Sequence, residues 1–514
     1  MLYPIGIQDF EKLRRGGFAY VDKTRFVYEL VSTGSYYFLG RPRRFGKSLL
    51  LTTMEYYFLG EKDLFKGLAL EELEKDWTAY PVLHLDLNTG KYSNEDSLLK
   101  VLDDALNDWE RLYGKNDNDD TPALRFKNVI QRAYEQTGRQ VVILVDEYDK
   151  PLLQNFNRPE LQDELRAELK AFYSVLKTQD KYIRFAFLTG VTKFGKVSVF
   201  SDLNNLKDIS MDKRYAEICG ITEAEIHQYF ETSLHRLAEE NEMTYEEVCG
   251  ELKRRYDGYH FRAGGGPGVY NPFSLLNTLD SQEFGDYWFE TGTPSFLVEL
   301  LQGCSYDLSK LEECEVESSV LVSTDSVRVN PLPLIYQSGY LTIHGYNKEF
   351  RKYRLGFPNK EVEDGFMRFL LPYYIRKESG GTGFSVQDFV EEVRGGNAAG
   401  FMSRLQALFE GMDYRIMGDM ELYFQNALFL IFKLMGIYTD VEYVSARGRA
   451  DIVLQTRGFV YIIECKLDGT VDEALRQIEE RGYGARFVHD VRKVFRIGVS
   501  FSSERRVMAE WRIG

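Results

Sequence analysis

The amino-acid sequence predicts an α/β protein in three parts: a parallel sheet with helices on both faces, a mainly helical middle region, and a second α/β domain. In the first part, apolar runs of strand length alternate with helical stretches, which is the pattern of a parallel sheet with ligands at the carboxyl ends of its strands. Near the C-terminus, two strand-like runs predict a hairpin, and an amphipathic helix follows. The 514 residues are too many for one core and indicate two or three domains.

A phosphate-binding loop is predicted at residues 41–48, which read Arg-Pro-Arg-Arg-Phe-Gly-Lys-Ser. The apolar run Tyr36–Gly40 precedes the loop, and a helix-forming run, Leu49–Leu59, follows it. A strand, a tight loop and a helix in this order cradle a triphosphate, because backbone N–H groups point inward and the helix N-terminus adds partial positive charge. Lys47 would reach the β- and γ-phosphates, and the Ser48 hydroxyl would coordinate magnesium.

The loop departs from the common motif at one position. Glycine usually stands four residues before the Gly-Lys pair, whereas this chain has Arg41 there and Gly40 one step earlier. Taken alone, Gly46, Lys47 and Ser48 are also compatible with an ordinary helix start.

A second segment favours the nucleotide site. The apolar, β-branched run Gln140–Val145 predicts a buried parallel strand, and Asp146 and Glu147 follow it directly. Carboxylates at the end of a buried strand are costly unless they meet a cation or water. In nucleotide hydrolases the first carboxylate holds magnesium and the second polarises the attacking water. The alternative is a strand that ends in a polar turn, but together the two segments predict a P-loop NTPase sheet that binds ATP and Mg²⁺.

The surrounding pattern supports this sheet. Strand- and helix-length runs alternate at Val82–Leu87, Glu95–Tyr113, 123–137 and Ile183–Leu188. The last run leads into Thr189–Lys193, where Thr189 or Thr192 could sense the γ-phosphate. A threonine in this position is also an ordinary turn residue.

The middle of the chain has a different character. Thr222–Glu225 is a capping box that opens a helical stretch. Tyr340–Ile343 and Phe350–Leu355 predict a hairpin with a Gly-Tyr-Asn turn, and His260 is interpreted as a structural histidine. Ser379–Gly383 has the composition of a linker.

Composition limits the class of protein. Hydrophobic residues make up 44% of the chain, and no apolar run approaches the roughly 20 residues that a membrane-spanning helix needs. Residues Met1–Gly6 lack the basic segment and apolar core of a secretory signal, so we expect a cytoplasmic protein without a membrane partner. The five cysteines include no C-x-x-C pair, which argues against a disulfide framework or a zinc site.

The net charge is unevenly distributed. The chain carries −15, but residues 441–514 hold thirteen Lys or Arg against eleven Asp or Glu, a net of +2, so the remainder carries −17. An acidic chain is not typical of proteins that coat nucleic acid. The arginine-rich, near-neutral tail still permits local phosphate contacts.

The tail contains a second chemical motif. Ala450–Leu454 and Phe459–Lys466 predict a hairpin, and side chains alternate along its strands, so Glu464 and Lys466 share one face. Asp451 on the neighbouring strand could join Glu464 in binding a hard divalent cation. Such a metal activates water for phosphodiester cleavage, while the lysine orients or helps to deprotonate that water. A surface hairpin with an ordinary Glu–Lys pair is the alternative, although a buried charged pair needs a reason.

Three further residues accompany this motif. Glu421 opens the long helix before the hairpin, where an extra acidic metal ligand is often found in such nucleases. Gln477 lies on the amphipathic helix that follows, and Tyr483 lies just beyond it. The alternative places Gln477 on a solvated helix face and makes Tyr483 a packing aromatic.

Two motifs in the N-terminal half, Tyr-Val-Asp-Lys-Thr at Tyr20–Thr24 and Arg-Pro-Arg-Arg-Phe-Gly-Lys at Arg41–Lys47, resemble the bacterial AAA-ATPase-like family. The resemblance implies that Arg41 is the family's own form of the loop, and we expect Gly40 and Arg44 to contribute to nucleotide binding. We expect domain boundaries at 1–220 for the ATPase domain, 221–378 for a helical lid and winged-helix-like region, and 384–514 for the last domain.

The C-terminal part is similar to the PD-(D/E)XK nuclease superfamily. Asp451, Glu464 and Lys466 then correspond to its motif, with Gln477 and Tyr483 on the following helix. The implied cofactor is Mg²⁺ or Mn²⁺, and the implied partner is nucleic acid, with DNA as the expected substrate.

Two functional classes remain open. One is an ATP-driven or ATP-gated nuclease, and the other is a nucleotide-switched regulator whose tail binds nucleic acid or protein without cutting. The spacing of the three tail motif residues favours the nuclease. DNA versus RNA and a homo-oligomeric arrangement stay open, as does the assignment of Arg43 or Arg44 to a neighbouring copy's site.

Overall fold

A computed structural model gives the structure of the chain. It describes residues 1–116, 119–193, 205–290, 297–298, 300–301, 304, 306–321, 330–374, 386–410, 420–437, 442–445, 451–484, 487–488 and 490–514. The chain forms two compact units, Met1–Gly292 with Glu312–Val362, and Thr293–Leu311 with Glu363–Gly514. The three-part division expected from the sequence stays a prediction, and the linker Ser379–Gly383 lies outside the described residues.

The first unit is built on a parallel sheet of five strands. They are β1 (Tyr36–Gly40), β2 (Val82–Asp86), β3 (Val141–Asp146), β4 (Ile183–Gly190) and β5 (Lys207–Asp208), in the order β2-β3-β4-β1-β5. All pairings are parallel. Every residue of β3 is buried, as in parallel sheets covered on both faces. The predicted parallel sheet is confirmed.

The register brings the carboxyl ends of the strands together. Gly40 pairs with Gly190 across β1 and β4, and Asp86 pairs with Asp146 across β2 and β3. Loops that follow these residues therefore share one edge of the sheet, which is the edge where open α/β sheets bind ligands.

The first unit also contains many helices. In the first unit they are Phe10–Arg15, Thr24–Thr33, Lys47–Phe58, Ala69–Leu73, Glu95–Tyr113, Pro122–Thr137, Lys150–Gln154, Pro159–Thr178, Glu223–Glu240, Tyr245–Tyr256, Pro272–Ser281, Tyr287–Glu290, Ser318–Leu321 and Leu332–Gln337. Short 3-10 turns occur at Lys62–Phe65, Leu87–Thr89, Asp180–Tyr182 and Lys213–Tyr215. The helix Lys47–Phe58 contacts β2 and β3, and Pro122–Thr137 contacts β3.

The middle region confirms two predictions and corrects a third. Thr222 and Glu225 form the expected capping box. A small antiparallel sheet has the order β6-β8-β7, with β6 at Cys314–Glu317, β7 at Thr342–Asn347 and β8 at Lys352–Gly356.

The predicted hairpin is therefore present, but its predicted turn is wrong. Gly345, Tyr346 and Asn347 belong to β7. The turn comes later because the Asn347 side chain accepts hydrogen bonds from the backbone N–H groups of Glu349 and Phe350, at 3.0 and 3.2 Å.

The second unit contains a mixed sheet of five strands. They are β9 (Glu442–Ser445), β10 (Asp451–Gln455), β11 (Phe459–Leu467), β12 (Lys493–Ser502) and β13 (Val507–Ile513), in the order β13-β12-β11-β10-β9. Only β11 and β12 pair in parallel among these described strands. The predicted hairpin is confirmed as β10 and β11.

The helices of the second unit complete its described fold. They are Lys360–Tyr374, which begins in the first unit, Val386–Arg394, Ala398–Glu410, Met420–Ile437 and Val471–Glu480, with a 3-10 turn at Leu308–Leu311. Val471–Glu480 connects β11 to β12 and packs on both strands, as a parallel crossover requires. In the part of the chain that the structure describes, no helix is both long and apolar enough to cross a bilayer.

Candidate functional site

The predicted phosphate loop connects β1 to the helix Lys47–Phe58. Gly46 stands just before the helix with a φ of 90°, in the left-handed region that favours glycine. A Cβ atom at Gly46 would meet no other atom within 4 Å, so the backbone angle, not crowding, is what calls for glycine. The N-terminus of a 12-residue helix thus faces the loop.

Lys47 is held inside the loop. Its side chain is 3% exposed, and its ammonium group donates to the carbonyls of Arg41 and Pro42 at 3.0 and 3.1 Å. The same Nζ atom lies 3.0 Å from Oε1 of Glu147. The loop carbonyls and one acidic side chain therefore compensate the buried cation.

Asp146 joins the loop helix to β4. Its Oδ2 atom accepts a hydrogen bond from the Ser48 hydroxyl at 2.5 Å, and its Oδ1 atom accepts one from the Thr189 hydroxyl at 2.5 Å. The backbone N–H of Glu147 lies 3.4 Å from the Thr189 oxygen. Four residues predicted to form the site, from three separate elements, are thus brought together.

Asp149 is a buried residue of this region to which the sequence analysis assigned no role. Its carboxylate accepts hydrogen bonds from the backbone N–H groups of Val191 and Thr192 and from the Thr192 hydroxyl, at 2.6 to 3.2 Å. Burial first, and then the nearby Glu147 carboxylate, raise the pKa of Asp149 to about 6. Asp149 fixes the segment after β4 to the acidic turn after β3. Its position in the Asp-Glu-Tyr-Asp run was the only sequence signal.

Arg41 explains the departure from the common loop motif. Its side chain is 1% exposed, and its guanidinium donates to the carbonyls of Gly40 and Ser210 at 2.8 Å and of Tyr215 at 2.9 Å. The guanidinium carbon lies 4.0 Å from the ring centre of Phe261. Burial lowers the pKa of Arg41 to about 10. The arginine therefore anchors the loop to neighbouring backbone.

The other predicted loop residues occupy distinct positions. Gly40 ends β1, and its N–H donates to the Ser210 hydroxyl at 2.8 Å. Arg43 and Arg44 are exposed, and the Arg44 guanidinium stacks 4.1 Å from the ring centre of Phe273. The expected contribution of Gly40 and Arg44 to nucleotide binding stays a prediction, as does the assignment of Arg43 or Arg44 to a neighbouring copy's site.

A cavity of about 100 Å³ lies beside Gly46. Its walls are largely apolar and include Tyr20, Val21, Leu49, Ile218, Cys219 and Leu276. Lys23 also lines the cavity, but its ammonium group is paired with both carboxylate oxygens of Glu225 at 2.6 and 2.7 Å. Three residues of the Tyr20–Thr24 motif, namely Tyr20, Val21 and Lys23, thus line a space adjoining the phosphate loop.

The second predicted constellation lies on β10, β11 and the crossover helix. Asp451 and Glu464 are direct partners in the antiparallel ladder. The Glu464 side chain is 1% exposed, and its Oε1 atom lies 2.8 Å from Nζ of Lys466. The Lys466 ammonium also donates to Oε1 of Gln477. Gln477, which the sequence placed only on the helix after the motif strand, thus lies within hydrogen-bonding distance of the motif lysine.

Two polar atoms of this cluster lack partners among the described residues. They are Oε2 of Glu464 and Nε2 of Gln477, both buried. Unsatisfied buried polar atoms are rare in folded proteins and often mark a place where an ion or water binds.

Some predicted ligands cannot be placed by their side chains. Asp451 and Glu421 have described backbones, in β10 and in the helix Met420–Ile437, but their side chains lie outside the described part. Among the described side chains, no group of three His, Cys, Asp or Glu residues could hold a metal ion. Tyr483 packs against the apolar cluster around Ile478, and its hydroxyl lies 3.4 Å from Nη1 of Arg481.

The fold and sites define a P-loop nucleotide-binding unit followed by a nuclease-like α/β unit. The strand order, the loop after β1 and the acidic turn after β3 identify the first unit, and the β10–β11 motif identifies the second.

Comparisons with known proteins agree. Residues 4–200 match the family model described as Predicted AAA-ATPase, and residues 419–511 match the PD-(D/E)XK nuclease superfamily. A curated protein of Azotobacter chroococcum mcd 1, named "Uncharacterized protein in vnfD 5'region", is 36% identical over 518 residues, covering 98% of this chain and 97% of the relative. The chain belongs to the AAA-ATPase-like family and carries a C-terminal PD-(D/E)XK nuclease superfamily domain.

Proposed function

We propose that this protein binds and hydrolyses ATP with Mg²⁺ and that its C-terminal domain cuts nucleic acid, DNA in the first instance, in a metal-dependent reaction. The observation that carries the ATP proposal is the meeting of Ser48, Asp146 and Thr189 beside the Lys47–Glu147 pair. These groups come from β3, β4 and the loop helix, and together they supply the cation, hydroxyl and carboxylates that a Mg²⁺–triphosphate needs.

The loop residues fit the phosphates and the metal. Backbone N–H groups at the N-terminus of the helix bind phosphate oxygens, and Lys47 exchanges its loop carbonyls for the β- and γ-phosphates. Ser48 and Asp146 hold Mg²⁺ through oxygen, which is the ligand that this ion prefers. The metal supplies charge neutralisation for the transferring phosphoryl group.

The cavity beside Gly46 suits the base of the nucleotide. Its described lining contains no Asp, Glu, Asn or Gln side chain. Guanine presents N–H donors that a protein usually meets with a carboxylate or amide oxygen, and an apolar slot leaves those donors unpaired. Adenine places less demand on such acceptors, so the lining supports ATP over GTP.

Two substitutions separate ATP binding from hydrolysis. Lys47→Ala should abolish binding, because it removes the mobile cation that reaches the terminal phosphates. Glu147→Gln should keep binding yet slow turnover at least 100-fold, on the order expected for a group that activates the attacking water. Binding is measured with a fluorescent ATP analogue and turnover by phosphate release. Unchanged turnover in Glu147→Gln would contradict this assignment of roles.

The C-terminal proposal rests on the cluster of the buried Glu464 with the half-buried Lys466 and Gln477, opposite Asp451. The unpartnered Oε2 atom of Glu464 supports a role as metal ligand with Asp451, and Glu421 is proposed as an additional ligand. Mg²⁺ or Mn²⁺ there lowers the pKa of bound water. Lys466, oriented by Gln477, positions that water and stabilises developing negative charge.

The full-length chain tests this proposal. Asp451→Ala and Glu464→Ala should lose both Mn²⁺ binding, measured by calorimetry without nucleotide, and cleavage of DNA. Lys466→Ala should keep the metal and lose cleavage. Glu479→Gln is the matched control, since it removes an exposed carboxylate from the same crossover helix. If the folded protein binds no divalent cation at millimolar concentration, the regulator without nuclease activity becomes the better interpretation.

We also propose that ATP gates cleavage. A nucleotide can shift an equilibrium between two arrangements of a protein only by binding one of them better. The phosphate loop and the Asp149-held segment after β4 contain the groups that would make this difference. A cytoplasmic location, expected from the sequence, fits a nuclease that must be restrained.

A further inference from the structure

The phosphate loop is contacted by side chains from the part of the chain that follows the five-stranded parallel sheet. The indole N–H of Trp288 donates to the backbone carbonyl of Arg43 at 3.1 Å. The next residue, Arg44, stacks its guanidinium on Phe273. Two consecutive loop residues are thus fixed by side chains from a part of the chain more than 200 positions away.

Pro42 and Phe45, the loop residues on either side of Arg43 and Arg44, also pack against this later part of the chain. The ring of Phe45 is buried against Tyr259 and Phe261, with ring centres 4.7 and 5.5 Å apart. A Cβ atom at Gly339 would lie 2.6 Å from the Cβ atom of Pro42, so only glycine allows this close approach.

One buried carboxyl group, that of Glu361, links the regions around Trp288 and Phe273, the two residues that contact Arg43 and Arg44. Oε1 of Glu361 accepts hydrogen bonds from the backbone N–H of Trp288 at 2.7 Å and from the Ser274 hydroxyl at 3.0 Å. Ser274 directly follows Phe273, the residue under Arg44. Glu361 is 1% exposed, and burial raises the pKa of its carboxyl to about 8. Glu361 therefore holds the backbone of Trp288 and the side chain of the residue next to Phe273, so it supports both contacts with the loop indirectly.

The loop needs such support. Arg44 has a φ of 64°, in the left-handed region, which is unfavourable for a residue other than glycine. The carbonyls of Arg41 and Pro42 must also point at the Lys47 ammonium. Surrounding contacts have to maintain a conformation that the loop alone would not favour.

We propose that Trp288 and Glu361 are positioning residues of the phosphate loop, which hold it in the conformation that binds ATP. The proposal rests on the ATP site proposed above. If the competent conformation is less populated, the apparent dissociation constant rises in proportion, while the bound enzyme keeps its chemistry.

The test is the ATP affinity of Trp288→Phe, which keeps a ring but removes the indole N–H. A neutral hydrogen bond contributes about 0.5–1.5 kcal/mol, so the dissociation constant should rise about three- to tenfold, with turnover at saturating ATP near wild type. Trp77→Phe is the matched control, because the Trp77 indole nitrogen has no hydrogen-bond partner among the described residues. Its affinity should equal that of wild type.

A second pair of variants, both at Glu361, distinguishes a loss of positioning from a folding defect. Glu361→Ala should weaken ATP binding, and Glu361→Gln should keep it, because the amide oxygen can still accept both hydrogen bonds. Wild-type affinity in Trp288→Phe, or equal affinities in the two Glu361 variants, would overturn the positioning role and leave the ATP site standing. Absence of ATP binding in the wild type would instead overturn the ATP site together with this inference.

Discussion

Arg41 shows how a loop can depart from the usual phosphate-binding pattern and keep its shape. Both terminal nitrogens of its guanidinium are engaged, and together they donate to three backbone carbonyls. A glycine at this position would leave those carbonyls without their donor. Arg41 is therefore a structural residue of the loop, whereas Lys47 is the cation proposed to reach phosphate.

We predict that Arg41→Ala destabilises the first unit by roughly 2–4 kcal/mol, because buried carbonyls lose charge-assisted hydrogen bonds. Urea unfolding followed by tryptophan fluorescence measures the change. Arg43→Ala, at an exposed neighbouring side chain, is the control and should shift stability by less than about 0.5 kcal/mol. Equal stabilities of the two variants would contradict the anchoring role of Arg41.

The buried Glu361 predicts a pH dependence of stability. Burial, with a smaller contribution from Asp286, raises the pKa of this carboxyl to about 8, above its ordinary value of 4.5. The neutral form is favoured in the folded state, so the stabilisation is complete below pH 4.5 and is lost as pH rises through 8. The loss approaches about 5 kcal/mol at the upper end.

Glu361→Gln should remove this contribution, since the amide does not ionise. The unfolding free energies of wild type and Glu361→Gln are compared between pH 5 and pH 9. The difference between them should change in favour of the variant as pH rises. If the difference in unfolding free energy stays constant over this range, the pKa of Glu361 is not raised by its burial.

Among the helices, strands and loops, the sequence predicts those whose residues form a recognisable local pattern. The run ending at Val145 and the loop at 41–48 are local signals, and the structure places both as expected. The two-residue strand β5 has no such signal, since it exists only through its pairing with β1. Asp149 was missed for a related reason: its partners Val191 and Thr192 follow a different strand.

The same distinction applies to the candidate sites. Glu464, Lys466 and Gln477 could be grouped from strand alternation and the helix that follows, and the structure brings them together. The role of Trp288 could not be predicted, because its partner is a backbone carbonyl 245 positions away in the chain. A hydrogen bond to a distant backbone carbonyl leaves no recognisable pattern in the amino-acid sequence.

The contact between the acidic turn after β3 and the end of β4 can be tested by substituting Gly190. A Cβ atom at Gly190 would lie 2.6 Å from Oδ1 of Asp149 and 2.7 Å from Cδ1 of Tyr148. Gly190→Ala should therefore separate the two strand ends, lower stability by about 1–3 kcal/mol and slow ATP hydrolysis. Stability is measured by urea unfolding and hydrolysis by phosphate release.

The control for this change is Gly250→Ala, at an exposed helical position where a Cβ atom meets nothing within 4 Å. Alanine should stabilise that helix by about 0.5–1 kcal/mol and leave hydrolysis unchanged. Normal hydrolysis in Gly190→Ala would show that the contact between Asp149 and the end of β4 has no part in turnover.

Two chemistries, ATP hydrolysis and nucleic-acid cleavage, are proposed for this one chain. An acidic chain with a net charge of −15 has little general attraction for nucleic acid, so the proposed substrate contact is confined to the near-neutral C-terminal part. Reciprocity follows from linkage: if ATP changes the affinity for nucleic acid, nucleic acid must change the affinity for ATP by the same factor.

We propose that nucleotide bound at the phosphate loop controls cleavage by the C-terminal domain. The most direct measurement is DNA cleavage by full-length wild type and Lys47→Ala, each with and without Mg²⁺–ATP, with Glu464→Ala as the blank for contaminating nuclease. We predict that ATP changes the cleavage rate of the wild type and has no effect on Lys47→Ala. Equal cleavage under all four conditions would show that the two domains are merely tethered, and would contradict the claim.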